Sequence, residues 1–390
     1  MKLRTLFLST AIATSLPASA GGDGAFGFVR KLGTLIDSMT VRGVDRRYLG
    51  APEKPWQLLL KSNVNQSDLK LSSSVHNAED IFGFMVGDMT WEPRVMTNPA
   101  SYLGFWGGYR GYGLGFSWNV GGDNGRILTV GATGGSYGVN MRIHWFEKAD
   151  PEVYFAGNAL VDFNTEGDPV YTPFTFSDVI DLPSPIKTRA LFLDGYYLFN
   201  GKKCSYAAAY DQSVIQKRSA GSLMAGAMYF HSTIRYDTDD NADLILFMND
   251  IGRMKSWQGS VGAGYIYNWV PTKGLLVSGM AIPMITLFNH QKMWRYDSNL
   301  KDLVTTEGLD AILDYPEFKE KIRPSEEIPV ESRNSNTRWN LDARLSITYE
   351  WDNLLFINAY GQFCTFPYKM DDVSGRLNDW YINASIGIRL

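Results

Sequence analysis

The chain has 390 residues, a formal net charge of −4 and 20% charged residues, against 14% aromatics and 38 glycines. A mean hydropathy of −0.18 with that aromatic load suits a wall with one greasy face and one wet face, and no dense basic stripe of the kind nucleic acid requires is present. Beyond the first twenty residues, no segment offers the roughly twenty unbroken apolar residues of a transmembrane helix.

The N-terminus reads as a secretory signal peptide over residues 1–20. Lys2 and Arg4 give the basic start, Leu6 to Leu16 the apolar stretch, and Ala18-Ser19-Ala20 the small-residue cleavage site. No Cys follows the cleavage site to invite lipid attachment. Residues 21–54 form an N-terminal periplasmic extension or plug, in which Phe28, Leu32, Leu35 and Ile36 mark the apolar side of a short amphipathic helix over Phe26 to Ile36. Residues 55–390 are expected to form the wall of a barrel.

The evidence for that wall is period-two alternation, the signature of a strand. Strands are expected near 55–64, 68–75, 101–109, 112–120, 126–134, 138–147, 187–199, 203–212, 219–235, 256–270, 274–287, 336–350, 353–366 and 377–390. The fold class is therefore all-β, an antiparallel transmembrane β-barrel of about 14 strands. Twelve is the alternative, since 68–75 and 126–134 alternate least and single-chain bacterial barrels keep even counts.

In 138–147, Asn140, Arg142 and His144 share the polar face. From Arg338 to Trp351, Arg338, Asp342, Arg344 and Glu350 share one face, while Trp339, Leu345, Tyr349 and Trp351 share the other. In 377–390, Trp380, Ile386 and Leu390 oppose Arg389. The polar set Asn140, Arg142, His144, Arg338, Asp342, Arg344, Glu350 and Arg389 is assigned to the lumen. The aromatic set Trp257, Trp269, Trp339, Tyr349, Trp351 and Trp380 is assigned to the membrane interfaces. Aromatic bracketing and strands longer than the five or six residues usual in soluble proteins favour this over a soluble sandwich.

Asn200-Gly201 signals a tight hairpin turn, as does Pro271 to Gly274. With both ends in the periplasm, fourteen strands place the long stretch 148–186 on the periplasmic side, where long connections are unusual. Cys204 and Cys364 fall on opposite faces of the expected wall and are read as free thiols.

Gln216 to Ser222, after Tyr196 to Asn200 and Ser205 to Ala208, resembles a Bacteroidota family of uncharacterised exported proteins, the domain of unknown function numbered four-four-two-one. Asp45 to Trp56, Gly262 to Tyr265, Asn268 to Pro271 and Gly274 to Leu276 are similar to that family too. The resemblance covers nearly all of the chain after the signal peptide. It implies a bacterial group and brings no activity, cofactor or catalytic residue.

Site chemistry is sparse. Asp237 to Asp243 carries carboxylates at alternate positions, but it lacks the Gly at the sixth place of a calcium loop and has Met248 at the twelfth, so a solvated acidic loop is the better reading. None of His76, His144, His231 and His290 pairs at metal-ligand spacing. The Gly-rich stretches 104–115 and 259–264 lack the strand-loop-helix setting of a phosphate cradle and read as relief of crowding in the wall. No cofactor, metal or catalytic residue is assigned. The expected partners are outer-membrane lipid and the outer-membrane assembly machinery, with the cell outer membrane as location. Three functions stay open: a small-solute channel or transporter, a structural or surface-binding barrel with a filled lumen, and an outer-membrane enzyme.

Overall fold

The computed structural model describes residues 43–75, 89–96, 99–122, 124–150, 152–179, 181–182, 184–236, 251–295, 329–333, 338–351, 354–370 and 373–390. In chain order the elements are β1 (Leu49–Gly50), β2 (Trp56–Val75), β3 (Met89–Met96), β4 (Ala100–Tyr109), β5 (Tyr112–Gly121), β6 (Gly125–Thr133), β7 (Tyr137–Lys148), β8 (Glu152–Phe163), β9 (Pro169–Val179) and β10 (Ile186–Leu198). They continue with α1 (Tyr206–Tyr210), β11 (Ile215–Gln216), β12 (Ala220–Arg235), β13 (Ile251–Thr272), β14 (Leu275–Arg295), β15 (Pro329–Arg333), β16 (Trp339–Trp351), β17 (Leu355–Met370) and β18 (Val373–Arg389).

Twelve strands close on themselves in the order β2, β4, β5, β6, β7, β10, β12, β13, β14, β16, β17, β18. All neighbours are antiparallel, and the seam is the pairing of β18 with β2, which runs from Arg389 opposite Gln57 to Val373 opposite Ser73. Trp56 and Leu390 exchange backbone hydrogen bonds of 3.2 and 2.9 Å, which places both ends of the barrel at one rim, here the near end. Closure leaves no unpaired edge in the wall, the condition for a sheet to face lipid.

Side-chain alternation sets the two faces. On β16, Leu345 is 71% exposed on the outside while Ser346, one residue on, is 5% exposed and turned inward. On β18, Trp380, Ile382 and Ile386 are exposed, and Tyr381, Asn383, Ser385 and Arg389 are buried. The outer surface is thus greasy, and the buried polar residues gather inside.

Two expected wall strands are absent from the ring. Residues 68–75 are not a separate strand: they continue 55–64 in the 20-residue β2. Asn65 and Ser67, which read as a break, are inward side chains bonded to Asp379 on β18. Residues 203–212 are not wall either. Asn200-Gly201 turns the chain into the lumen, with Lys203 and Cys204 both donating to Asn200 O at 3.0 Å. There Ser205 caps the short helix α1 by accepting from Ala208 N at 3.2 Å. Three consecutive alanines favour helix over strand, and Ala207, Ala208 and Ala209 are all buried.

Removing 203–212 from the wall also corrects the parity. The stretch 148–186 moves to the far rim, where β8 and β9 form a hairpin that joins β3 and, through it, the far end of β2. The strands β2, β13 and β14 hold 20, 22 and 21 residues, about twice the 9–11 needed to cross a bilayer. Their far ends stand above the ring as a skirt on which β3 and β15 pair. Cys204 and Cys364 are free, as expected, but both are buried inside and not on opposite faces. The expected signal peptide, the Phe26 to Ile36 helix, His76, the Asp237 to Asp243 loop and most of 288–335 lie outside the described residues.

Candidate functional site, a lumen bridged from wall to wall

Sequence analysis places polar side chains inside; the structure adds that they reach one another across the lumen. Arg344 on β16 pairs with Asp342 on the same strand at 3.0 Å and with Asp194 on β10 at 3.1 Å. In the ring β10 lies four strands from β16. Tyr206 of α1 accepts from Arg344 at 2.6 Å and from Asn140 of β7 at 2.8 Å. Tyr196 of β10 bonds both Arg344 and Asp342. Gln362 of β17 donates to Asp342 at 3.1 Å, and Asn140 donates to Asp194 at 2.8 Å. One guanidinium thus bridges two buried carboxylates, and phenol and amide groups donate to their remaining lone pairs, the kind of hydrogen bonding buried charges need to offset their desolvation.

A second bridge joins Arg142 of β7 to Asp379 of β18, five strands away in the ring. Asp379 also accepts from Ser67 at 2.9 Å and from Asn65 at 3.2 Å. The Arg142 guanidinium lies between the rings of Phe192 and Tyr381, at 4.3 and 4.6 Å from their centres. His144, next on the same face, meets Tyr102 Oη at 2.8 Å. Toward the far end the filling is apolar: Phe366 of β17 stacks on Phe230 of β12 at 4.1 Å and packs on Phe192 at 5.6 Å. Met228, Met254, Met293, Ile234 and Leu377 pack in the same cluster.

At the near end the segment 200–218 is tied to the wall as a plug. Arg389 pairs with Glu350 at 2.6 Å and donates to Gln212 O at 2.9 Å. Gln57 donates to the same carbonyl at 2.7 Å, and Gln212 itself sits at φ 57, a backbone conformation held by these contacts. Asn268 donates to Ser205 O and Gln216 Oε1, at 2.8 and 3.0 Å. Within the plug, β11 pairs with β1, and Leu49 packs on the α1 alanines. Asp45 turns this N-terminal stretch: its carboxylate accepts from Arg47, which holds the carboxyl down at about 2. Among the described residues, 43–50 of the expected extension 21–54 pack here, and most of the described plug comes from the chain between β10 and β12. A cavity of about 70 Å³ remains between plug and wall, lined in part by Lys61, Arg142, Asp211 and Asn383. That is room for a few ordered waters at ~10–15 Å³ each.

Of the eight polar residues assigned to the lumen, Asn140, Arg142, His144, Asp342, Arg344, Glu350 and Arg389 take part in these contacts. Arg338 does not. It stands half-buried just before β16, and its carbonyl accepts from Thr286 N. The six aromatics Trp257, Trp269, Trp339, Tyr349, Trp351 and Trp380 all lie on outward positions of their strands; Trp257, Trp339 and Trp380 stand toward the far end, and Trp269, Tyr349 and Trp351 near the other rim. Sequence reasoning missed Asp194, Asp379, Tyr196 and Tyr206. A carboxylate in the middle of a strand is the available signal, because it is tolerated there only on an inward, paired face. Among the described residues no group of three or more His, Cys, Asp or Glu is gathered to hold a metal.

A closed antiparallel ring with a greasy exterior and an interior bridged by ion pairs is a β-barrel of outer-membrane type. The chain belongs to the family described as Domain of unknown function (DUF4421), whose model matches residues 64–364. No curated protein matches it significantly. Among solved structures it is similar to the outer membrane protease OmpT from Escherichia coli, at 8% identity over 87% of this chain and 97% of that one, with a TM-score of 0.39. It is also similar to the translocator domain of the autotransporter NalP from Neisseria meningitidis, at 7% identity over 96% and 100% of the two chains and a TM-score of 0.31. The toluene transporter TodX from Pseudomonas putida matches at 9% identity over 87% and 90%, with a TM-score of 0.22. At this level of similarity nothing about activity transfers.

Proposed function

We propose that this protein is a resident of the bacterial outer membrane whose lumen is closed, and that it acts as a structural or surface-binding barrel and not as a diffusion channel. The observation that carries this reading is the Arg344–Asp194 ion pair, which joins β16 to β10 through the middle of the lumen. An open water-filled path needs that space unbridged, and the apolar cluster around Phe230 and Phe366 fills the level above it. Surface action suits the skirt of long strands at the far end, which extends the barrel well beyond the thickness of a bilayer. The outward aromatics at the two ends then sit at the two membrane interfaces, and outer-membrane lipid and the assembly machinery are its partners.

Two measurements test this reading. The protein should fractionate with outer membranes and shift on gels when boiled, and vesicles containing it should not swell in an isotonic solution of a small sugar. Recovery as a soluble protein would overturn the location, and sugar-driven swelling would overturn the closed lumen.

A further inference from the structure

The outer surface of β6, β7, β10, β12, β13 and β14 changes character in register steps from the middle of the wall toward the far end. The register row of Val130, Met141, Leu193, Tyr229 and Phe288 is apolar throughout. Two residues further along each strand, the row becomes Leu128, Ile143, Leu191, His231, Trp257 and His290. The next row is Arg126, Trp145, Arg189, Thr233, Lys255 and Lys292, and above it stand Glu147, Lys187, Arg235, Arg253 and Trp294. Seven cations and one carboxylate thus occupy two adjacent register rows on the far side of the apolar ones; because barrel strands tilt, these rows climb toward the far end from β6 to β14.

Their placement is held. Arg126 and Arg189 flank the Trp145 ring at 5.4 and 5.5 Å, and Arg253 lies over Trp294 at 4.4 Å. These cation–π contacts fix the guanidinium planes without using up their N–H donors. Arg235, Lys255 and Lys292 have further partners of their own. Arg126, Lys187, Arg189 and Arg253 therefore supply the donor capacity that points outward around a cleft of about 760 Å³. Lys187, Arg235 and Arg253 stand directly opposite one another across three strands. Like charges so placed are destabilising, and a phosphate laid across them reverses the sign of that interaction. On the opposite wall the shorter row Arg376, Lys70, Arg94 has a carboxylate in the adjacent row, Asp68, which pairs with Arg94 at 2.9 Å.

We infer that this basic face is a docking surface for the phosphate-bearing headgroup of an outer-leaflet glycolipid. Its acyl chains would lie on the apolar rows below while the cations and tryptophans hold the headgroup. The inference rests on the outer-membrane reading above, because only a protein inserted with its far end outward presents these rows to the outer leaflet.

The test uses the purified full-length protein in lipid nanodiscs, with diphosphorylated lipid A as the probe and phosphatidylcholine and inorganic phosphate as comparisons. Lipid retention is read by native mass spectrometry, and the unfolding midpoint is read on a gel. Wild type should retain lipid A through delipidation and unfold at a higher temperature with it, while inorganic phosphate and phosphatidylcholine leave the midpoint unchanged. The variant Arg126→Gln/Arg189→Gln/Arg253→Gln alters outward side chains only and should still insert. At about fivefold per cation near an anionic headgroup, it should bind lipid A on the order of a hundredfold more weakly. Equal retention by wild type and variant, or an equal midpoint shift with inorganic phosphate, would overturn the docking surface while leaving the barrel in its membrane. Failure of wild type to insert at all would overturn both.

Discussion

Arg344 and Asp194 meet at 3.1 Å although their strands stand four places apart in the ring. Removing the cation leaves Asp194 and Asp342 buried with no opposite charge, which typically costs about 3–5 kcal/mol. Arg344→Met should therefore lower the unfolding free energy, read by urea titration of the protein refolded in vesicles, by that order. Arg344→Met combined with Asp194→Asn should regain part of the loss, because one stranded charge goes with it. Equal stability of the single variant and wild type would show that the pair carries no such burden.

The two faces of β16 make a sharper contrast than alternation alone suggests. From sequence, Leu345→Arg is expected to place a cation in lipid at a cost of roughly 2–4 kcal/mol, and Ser346→Arg to be nearly harmless in a wet lumen. The packed interior changes the second expectation: Ser346 is buried opposite Ser278, so a longer charged side chain there overfills a dry site. Both variants should fold poorly, and folded yield in detergent is the readout. Normal yield of Ser346→Arg would mean that the lumen at this level is open.

The Gly-rich stretch after β4 begins is a bed for one side chain. A Cβ at Gly113 would lie 2.0 Å from the Trp106 ring and one at Gly108 2.1 Å from it, whereas Gly107 has nothing within 4 Å. Gly113→Val should cost about 1–3 kcal/mol through overpacking, and Gly107→Val, facing outward, should be tolerated. Thermal unfolding of the two variants side by side checks this; equal effects would remove the packing explanation.

Truncation tests the seam. Residues 381–390 supply nine of the register pairs between β18 and β2, from Tyr381 opposite Asn65 to Arg389 opposite Gln57. Without them the ring has two open edges in lipid, where each unsatisfied backbone group costs several kcal/mol. The protein lacking 381–390 should fail the boiling-dependent gel shift and be degraded in cells. Its normal insertion would show that β18 does not close the wall.

What could be read beforehand followed from how unlike the two faces of a strand are. Trp380 to Leu390 and Trp339 to Trp351 alternate cleanly because their outward residues are apolar and most inward ones polar. β12 is harder to read, since Met224, Met228, Phe230 and Ile234 are buried inside while Leu223 is exposed outside, so both faces are apolar. The apolar half of the lumen was invisible for the same reason. Residues 203–212 read as a wall strand because Tyr206 and Tyr210 mimic a strand face, although Ser205 shortly before three alanines is a helix start. Cross-lumen partners such as Asp194 and Asp379 depend on which strands face each other across the ring, and no local pattern encodes that.

Ion conduction through the purified full-length protein in a planar bilayer decides whether the lumen is closed. With a porin in the same bilayer system as positive control, wild type should give no steady current steps at either polarity, because Arg344, Asp194 and the plug span its middle. Reproducible open-channel steps from wild type, with the boiling-dependent gel shift confirming that it is folded, would contradict the filled lumen.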